Sequence, residues 1–160
     1  MDSDGIEDHF DPDDDGDGFS DIVEIAYGSK PRNSNSVANQ APTLLDLNGS
    51  SVAENEASGT TVGKFNSTDP DANATIILTF SDGNGSQHNH LFTIDSKGTL
   101  RTTMTFDYET NVKVLSIRVR ATDEHNAWLE KSFALQVSNV SEDLDADGIE
   151  NHYDADDDGD

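Results

Sequence analysis

Carboxylate side chains near the start of this chain recur at the spacing of a twelve-residue oxygen-ligand loop. Positions 1, 3, 5, 9 and 12 are held by Asp13, Asp15, Asp17, Asp21 and Glu24. Gly18 stands at position 6, where the EF-hand loop makes its sharp turn, and the carbonyl of Phe19 supplies position 7. Calcium takes six to eight oxygen ligands in flexible geometry, whereas magnesium demands a near-ideal octahedron. The spacing therefore predicts a calcium site.

The same spacing occurs again near the end of the chain. Its side-chain positions are Asp143, Asp145, Asp147, Asn151 and Asp154, and the carbonyl of Ile149 falls at position 7. Residues 2–17 and 145–160 are identical at twelve of sixteen positions, which indicates an internal repeat. A partial frame at the start holds Asp2, Asp4, Asp8 and Asp11, and another begins at Asp156, Asp158 and Asp160.

The charge of the chain is concentrated in these two terminal segments. Of the 33 acidic residues, eleven lie in residues 1–24 and ten in residues 142–160, and neither stretch contains Lys or Arg. This acidity argues against nucleic acid as a partner, because phosphate binding needs clustered basic residues. It favours metal cations, with a solvated acidic tail as the alternative. The chain has no cysteine, which excludes disulfides and thiolate metal sites.

The acidic segments resemble thrombospondin type 3 repeats in their bacterial form. The resemblance rests on the pattern DxDGxxDxxDxDDDGDGxxDxxE and on the apolar tail and Gly-x-x-Pro stretch of residues 22–31. It implies extended segments wrapped around calcium ions, with almost no hydrophobic core. The repeat leads us to expect one globular domain flanked by two acidic modules, as an internal piece of a longer repeat protein.

The middle of the chain has the alternation of half-buried β-strands. Ile76, Leu78 and Phe80 alternate with polar or exposed positions, and similar runs surround residues 117–121 and 133–137. Shorter candidates lie near residues 44–47, 62–65, 92–94 and 100–104. About seven short strands in about 100 residues are typical of an antiparallel, immunoglobulin-like sandwich. We therefore predict an all-β, seven-stranded sandwich with irregular calcium-loop arms at both ends.

Short motifs in the middle segment resemble those of a cadherin repeat. In chain order they are Ala53-Glu54-Asn55, the Asp69–Asp71 pair, Phe106-Asp107-Tyr108-Glu109 and Ala121-Thr122-Asp123. The resemblance, over residues 39–143, implies a calcium site at the C-terminal pole of the sandwich, held by Glu54, Asp107 and Glu109. It implies a second site at the N-terminal pole, held by Asp69, Asp71 and Asp123. The alternative is that these acids only cap turns.

The two linkers depart from the cadherin pattern D-x-N-D-N. The C-terminal linker reads Asn139-Val140-Ser141-Glu142-Asp143, so its first acid is replaced, and Asp143 is expected to serve both the pole and the following loop. The N-terminal linker keeps only Asn39 before Ala41-Pro42, which puts the occupancy of that pole in doubt.

These patterns predict four segments. They are a thrombospondin type 3-like repeat at 1–31, a linker at 32–41, a cadherin-like domain at 42–142 and the start of another acidic repeat at 143–160. No catalytic constellation is found: the spacing of Asp107 and Glu109 on one strand does not suit a glycosidase pair.

The predicted function is a calcium-binding structural or adhesive module of an extracellular or cell-surface protein, with calcium ions as its cofactor. Homophilic contact with the same domain on another molecule is the predicted protein partner. The alternative function, which the resemblance to bacterial cadherin-like domains implies, is polysaccharide recognition by the sandwich. Trp128 and Tyr108 could stack on a sugar, although a single Trp at a strand start more often belongs to the core or its rim. No apolar run in the sequence approaches the length of a membrane span.

Overall fold

A computed structural model describes residues 2, 4–71 and 73–156. Within these residues the fold comprises one short α-helix, one 3-10 helix (Asn89–Leu91) and eight strands. The α-helix is α1 (Asp21–Tyr27), and the strands are β1 (Leu44–Leu47), β2 (Ser51–Ala53), β3 (Thr61–Thr68), β4 (Ile77–Phe80), β5 (Phe92–Ile94), β6 (Thr99–Thr102), β7 (Val114–Thr122) and β8 (Trp128–Ser138). The beginning of a further loop at Asp158 and Asp160 lies outside the described residues.

The strands form two four-stranded sheets that pack face to face. One sheet has the order β1-β3-β6-β5 and the other the order β2-β8-β7-β4. Strand β7 shows why the sequence folds this way: Leu115, Ile117 and Val119 alternate with more exposed residues and are buried between the sheets. The predicted alternation in β4 is confirmed, since Ile76, Leu78 and Phe80 are the residues of that strand region that pack against the core.

The sandwich prediction is confirmed, but the predicted count of seven strands and their uniformly antiparallel pairing are wrong. The additional strand is β2, which pairs parallel with β8, and Val52 lies opposite Val137. The chain changes sheets between β1 and β2 at Gly49. A Cβ atom at Gly49 would lie 2.0 Å from the carbonyl oxygen of Val62, so only glycine allows this close crossing. A three-residue strand after such a crossing leaves too short an alternation to detect.

The N-terminal arm is not wholly irregular, because its calcium-loop frame ends in α1. Ser20 precedes the helix in an extended conformation, and Gly28 ends it with φ of 82°. The N–H of Gly28 donates to the carbonyl of Ile25, and the left-handed backbone there suits glycine. The helix begins at loop position 9, so it carries the last two predicted ligand side chains, those of Asp21 and Glu24.

The C-terminal arm follows β8 without a further helix or strand in the part that the structure describes, residues 139–156. No helix among the described residues is both long and apolar enough to cross a membrane.

Candidate cation sites

Four groups of three carboxylates converge among the described residues, and in each group one oxygen per residue lies within 4.8 Å of the others. Two groups belong to the N-terminal arm, one to the end of the sandwich where β8 leaves it, and one to the C-terminal arm. They are Asp2, Asp4 and Asp11; Asp13, Asp15 and Asp17; Glu54, Asp107 and Glu109; and Asp143, Asp145 and Asp147.

The loop that begins at Asp13 is shaped by hydrogen bonds from its own backbone. The N–H of Gly18 donates to Asp13 Oδ2 over 3.0 Å, and the N–H of Phe19 donates to Asp17 Oδ1 over 2.9 Å. Gly18 has φ of 97°, which turns the chain sharply at position 6. Asp15 Oδ1 likewise accepts the N–H of Asp17, so backbone donors hold all three carboxylates of the Asp13, Asp15 and Asp17 group.

Glu24 closes this loop as a completely buried carboxylate, with 0% exposure. Its Oε1 accepts a hydrogen bond from Ser29 Oγ at 3.0 Å, and its Oε2 is buried without a partner. Burial raises the pKa of Glu24, and the negative charges of Asp15, Asp17 and Asp21 raise it further. A buried carboxylate among like charges is costly unless a cation accompanies it.

Several carboxylate oxygens of this loop lack a hydrogen-bond partner, and they indicate whether a metal ion fits here. Besides Glu24 Oε2, the buried oxygens Asp15 Oδ2 and Asp17 Oδ2 have no hydrogen-bond partner. Buried polar atoms in folded proteins nearly always have one. Three unsatisfied carboxylate oxygens in one loop supply part of the six to eight oxygens that calcium takes, so the residues of this loop fit a calcium ion.

The loop that begins at Asp143 repeats the same backbone contacts. Here the N–H of Gly148 donates to Asp143 Oδ2 at 3.0 Å, and the N–H of Ile149 donates to Asp147 Oδ1 at 2.7 Å. Asn151 Oδ1 accepts the N–H of Leu144 at 2.8 Å, as position 9 of the first loop accepts that of position 2 at 2.9 Å. Asp143 Oδ1 is buried without a partner. The two loops thus share one geometry. Asp154, predicted at position 12, lies outside the converging group.

The partial frame at the start of the chain differs from its prediction in one residue. Asp2, Asp4 and Asp11 converge, but Asp8 forms an ion pair of 3.2 Å with Arg32 Nη2. Arg32 Nε lies 2.9 Å from Asp14 Oδ2 as well, and Asp14 is 4% exposed. Sequence reasoning missed both Arg32 and Asp14. A basic residue directly after the acidic module was the available signal.

At the C-terminal pole, three separate segments meet through Glu54. This residue follows β2 and is 2% exposed. Its Oε2 accepts the N–H of Tyr108 at 2.6 Å, and its Oε1 accepts the N–H of Val140 at 2.7 Å. Glu54 therefore joins the end of β2, the segment before β7 and the chain leaving β8 at one point.

The two other acids of this pole have opposite pKa shifts. Hydrogen bonds from the side chain and backbone of Thr110 lower the pKa of Asp107. Burial raises the pKa of Glu109, and the charges of Glu54 and Glu142 raise it further. Mutual repulsion of this kind again calls for a compensating cation.

Glu142 is a further acid at this pole that the sequence prediction did not include. Its side chain accepts a hydrogen bond from Asn55 Nδ2, and its carbonyl accepts the N–H of Asn151 at 2.6 Å. It therefore contacts both the pole and the C-terminal arm. Its place in the linker before Asp143 was the signal that could have identified it.

The three acids predicted at the N-terminal pole do not form a converging group among the described residues. Asp69 and Asp71 follow β3, and Asp123 follows β7, so all three lie at the end of the sandwich that faces the N-terminal arm. Asp69 Oδ2 is buried without a partner, while Asp71 and Asp123 accept hydrogen bonds from the linker.

Comparisons with known proteins agree on the middle segment. The sequence model of the cadherin domain matches residues 49–138. A structure of protocadherin gamma B7 extracellular cadherin domains 1–4 superposes with a TM-score of 0.52 at 24% identity, covering 62% of this chain and 24% of that one. The third cadherin domain of human protocadherin 7 gives 0.49 at 24% identity, covering 65% and 92%. No curated protein matches the chain significantly.

Proposed function

Because this chain belongs to the cadherin domain family, we propose that it is a calcium-binding structural and adhesive module of a large extracellular or cell-surface repeat protein. The observation that carries this proposal is the convergence of four carboxylate groups, two of which contain buried oxygens without hydrogen-bond partners. The chain spans about a quarter of the protocadherin gamma B7 structure that it resembles, 24% of it.

The donor chemistry favours calcium over other biological cations. The converging groups consist of carboxylates alone, and the chain has no cysteine thiolates to attract softer metals. A bound calcium ion supplies positive charge and six to eight coordination positions, which removes the repulsion within each group.

We assign the ligands of four sites to these groups and to the predicted positions beside them. In the loop from Asp13, the proposed additional ligands are Asp21, Glu24 and the carbonyl of Phe19. In the loop from Asp143, they are Asn151, Asp154 and the carbonyl of Ile149. The acidic arms are proposed to be thrombospondin type 3-like repeats of the bacterial type, which their spacing and internal repetition support.

The sites lie where movement between segments must be restrained. Glu54 accepts hydrogen bonds from Tyr108 and Val140 and so holds the end of β2 against two other segments. Glu142 connects the same pole to the C-terminal arm. Ligation of Glu54, Asp107 and Glu109 would fasten the arm to the sandwich, since the chain enters the Asp143 loop directly after this pole. The arms, which contain little apolar core of their own, would be kept compact in the same way.

Calorimetric titration with calcium, paired with thermal melting in calcium and in chelator, tests the proposal. We expect dissociation constants on the order of 10⁻⁴ to 10⁻³ M, as in other extracellular modules, and a large gain in melting temperature. A chain carrying D13N, D15N and D17N should bind fewer ions than the wild type. Equal melting temperature and equal compactness with and without chelator would refute the calcium role.

Adhesion between copies of the chain can be measured separately from calcium binding. Beads coated with the chain should aggregate in calcium and disperse in chelator if copies adhere to one another. No aggregation would leave a calcium-stiffened spacer, and binding in a glycan screen would favour polysaccharide recognition instead.

A further inference from the structure

The N-terminal pole of the sandwich is built differently from the C-terminal pole. Both poles carry three acids that the cadherin resemblance implies as ligands, but only at the C-terminal pole do the carboxylates converge within 4.8 Å among the described residues. The reason lies in the linker between α1 and β1, where the neutral residues Asn39 and Gln40 contact the acids directly.

Both oxygens of Asp123 accept hydrogen bonds. Its Oδ1 accepts the N–H groups of His125 and Ala127, both at 2.9 Å, which closes the turn between β7 and β8. Its Oδ2 accepts Asn39 Nδ2 at 2.9 Å, and the residue is 4% exposed. Three donors, one of them from the linker, therefore contact this buried carboxylate.

Asp71 is held by the next linker residue. Its Oδ2 accepts the backbone N–H of Gln40 at 2.7 Å, and its Oδ1 lies 3.5 Å from Gln40 Nε2. A backbone N–H can only donate. Rotation of a side-chain amide could turn its oxygen toward a cation, but a backbone N–H offers no such oxygen. The same Gln40 side chain also donates to the hydroxyl of Tyr27 at 3.2 Å, which connects the pole to α1.

Asp69 is the remaining acid of the pole. Its Oδ1 accepts the N–H of Asp71 at 2.9 Å, and its Oδ2 is buried without a partner. One such oxygen does not by itself make a site, and among the described residues Asp69 belongs to no converging group of three acids. By contrast, Glu54, Asp107 and Glu109 converge at the C-terminal pole, and Glu142 lies beside them through its hydrogen bond from Asn55 Nδ2.

We propose that the N-terminal pole takes no calcium ion and that Asn39 and Gln40, acting as hydrogen-bond donors, close it instead. Direct packing completes this joint: the rings of Phe19 and His125 lie 6.0 Å apart, and Ala38 is 2% exposed. This inference rests on the proposed function insofar as calcium occupies the other sites. Chelation of calcium would then leave the contacts between the N-terminal arm and this pole in place.

Calcium titration of the whole chain and its variants N39A and D71N tests the inference, with E54Q as the matched variant at the opposite pole. We expect N39A and D71N to leave the number of bound ions unchanged and each dissociation constant within about twofold of wild type. E54Q should bind fewer ions. N39A should also lower the melting temperature by the same amount in calcium and in chelator.

Each of three results would contradict one of the two proposals. Loss of a bound ion in either N39A or D71N would overturn the inference while leaving the proposed function intact. A decrease in melting temperature for N39A that appears only in calcium would overturn it as well. A wild-type chain that binds no calcium would refute the proposed function, whereas an equal melting decrease for N39A in both solutions would still support closure of the pole by amides.

Discussion

Replacing Glu54 by glutamine should separate the structural and the calcium-dependent roles of one carboxylate. Both oxygens of Glu54 accept backbone N–H groups, from Tyr108 at 2.6 Å and from Val140 at 2.7 Å. A glutamine side chain of the same shape offers only one acceptor oxygen, because its other terminal atom is an NH₂ donor. In E54Q, one of the two backbone N–H groups is therefore left facing a donor inside the pole.

The magnitude follows from this loss. An unsatisfied buried donor costs about 1–3 kcal/mol, and the lost bond is of the stronger, charge-assisted kind. For a domain of about 100 residues, each 1 kcal/mol lowers the melting temperature by about 4–8 °C. We therefore expect E54Q to melt roughly 5–20 °C below the wild type in chelator.

Calcium should widen the difference. At about 10 mM free calcium, a site with a dissociation constant on the order of 10⁻⁴ to 10⁻³ M contributes about 1.4–2.7 kcal/mol to the free energy of unfolding. E54Q should lose that contribution as well, because its neutral side chain reduces both the charge and the oxygen count of the group. Thermal melts followed by circular dichroism, with and without calcium, measure both parts.

Glu56 offers a control two residues further along the chain. It is exposed and belongs to none of the converging groups, so E56Q should melt as the wild type does in both solutions. If E54Q melts with the wild type in chelator, the role assigned to the two backbone hydrogen bonds is wrong. If it gains as much stability from calcium as the wild type, Glu54 is not a ligand.

Three further changes test the loop, the sheet and the strand crossing. G18A forces a left-handed backbone on alanine at φ of 97°, costing about 1 kcal/mol and weakening calcium binding to that loop roughly fivefold by titration calorimetry. Hydrogen bonds and charges from Arg118 and Arg120 lower the pKa of Glu130 below 4.5. The Glu130 carboxylate therefore stabilises the fold above pH 4.5, and this stabilisation is lost as pH falls through the lower folded-state pKa. In chelator, the melting temperature of E130Q should lie below that of the wild type at pH 7 and converge with it in acid. G49A would place a Cβ 2.0 Å from a carbonyl oxygen of β3, and chemical denaturation should show a loss of at least about 2 kcal/mol; a neutral effect would contradict the described crossing.

Local patterns in the sequence were sufficient for the parts of the molecule that are built locally. The loop from Asp13 and the loop from Asp143 each draw a converging group from five consecutive residues, so the spacing of the carboxylates already places them together. The alternation in β4 and β7 likewise identifies the buried face, because side chains of a strand point to opposite sides. These features need no knowledge of distant segments.

Contacts between distant segments were harder to predict, and here the resemblance to cadherins helped only in part. It implied that Glu54 would meet Asp107 and Glu109, which converge in the structure. It did not indicate that Glu142 would join this pole or that Arg32 would pair with Asp8 and Asp14. Such pairs are formed when the arms fold back on their neighbours, and no local spacing encodes them.

The sequence by itself determined the acidic loops, the alternating strands and the oxygen-rich chemistry that favours calcium. At the poles of the sandwich, only the tertiary structure decided which carboxylates converge. At one end of the sandwich it brings Glu54, Asp107 and Glu109 together, and at the other it gives Asp71 and Asp123 to the donors of Gln40 and Asn39. The physical reason is that a carboxylate oxygen can face either a cation or an N–H donor, and the segments that fold against it determine which partners are within reach.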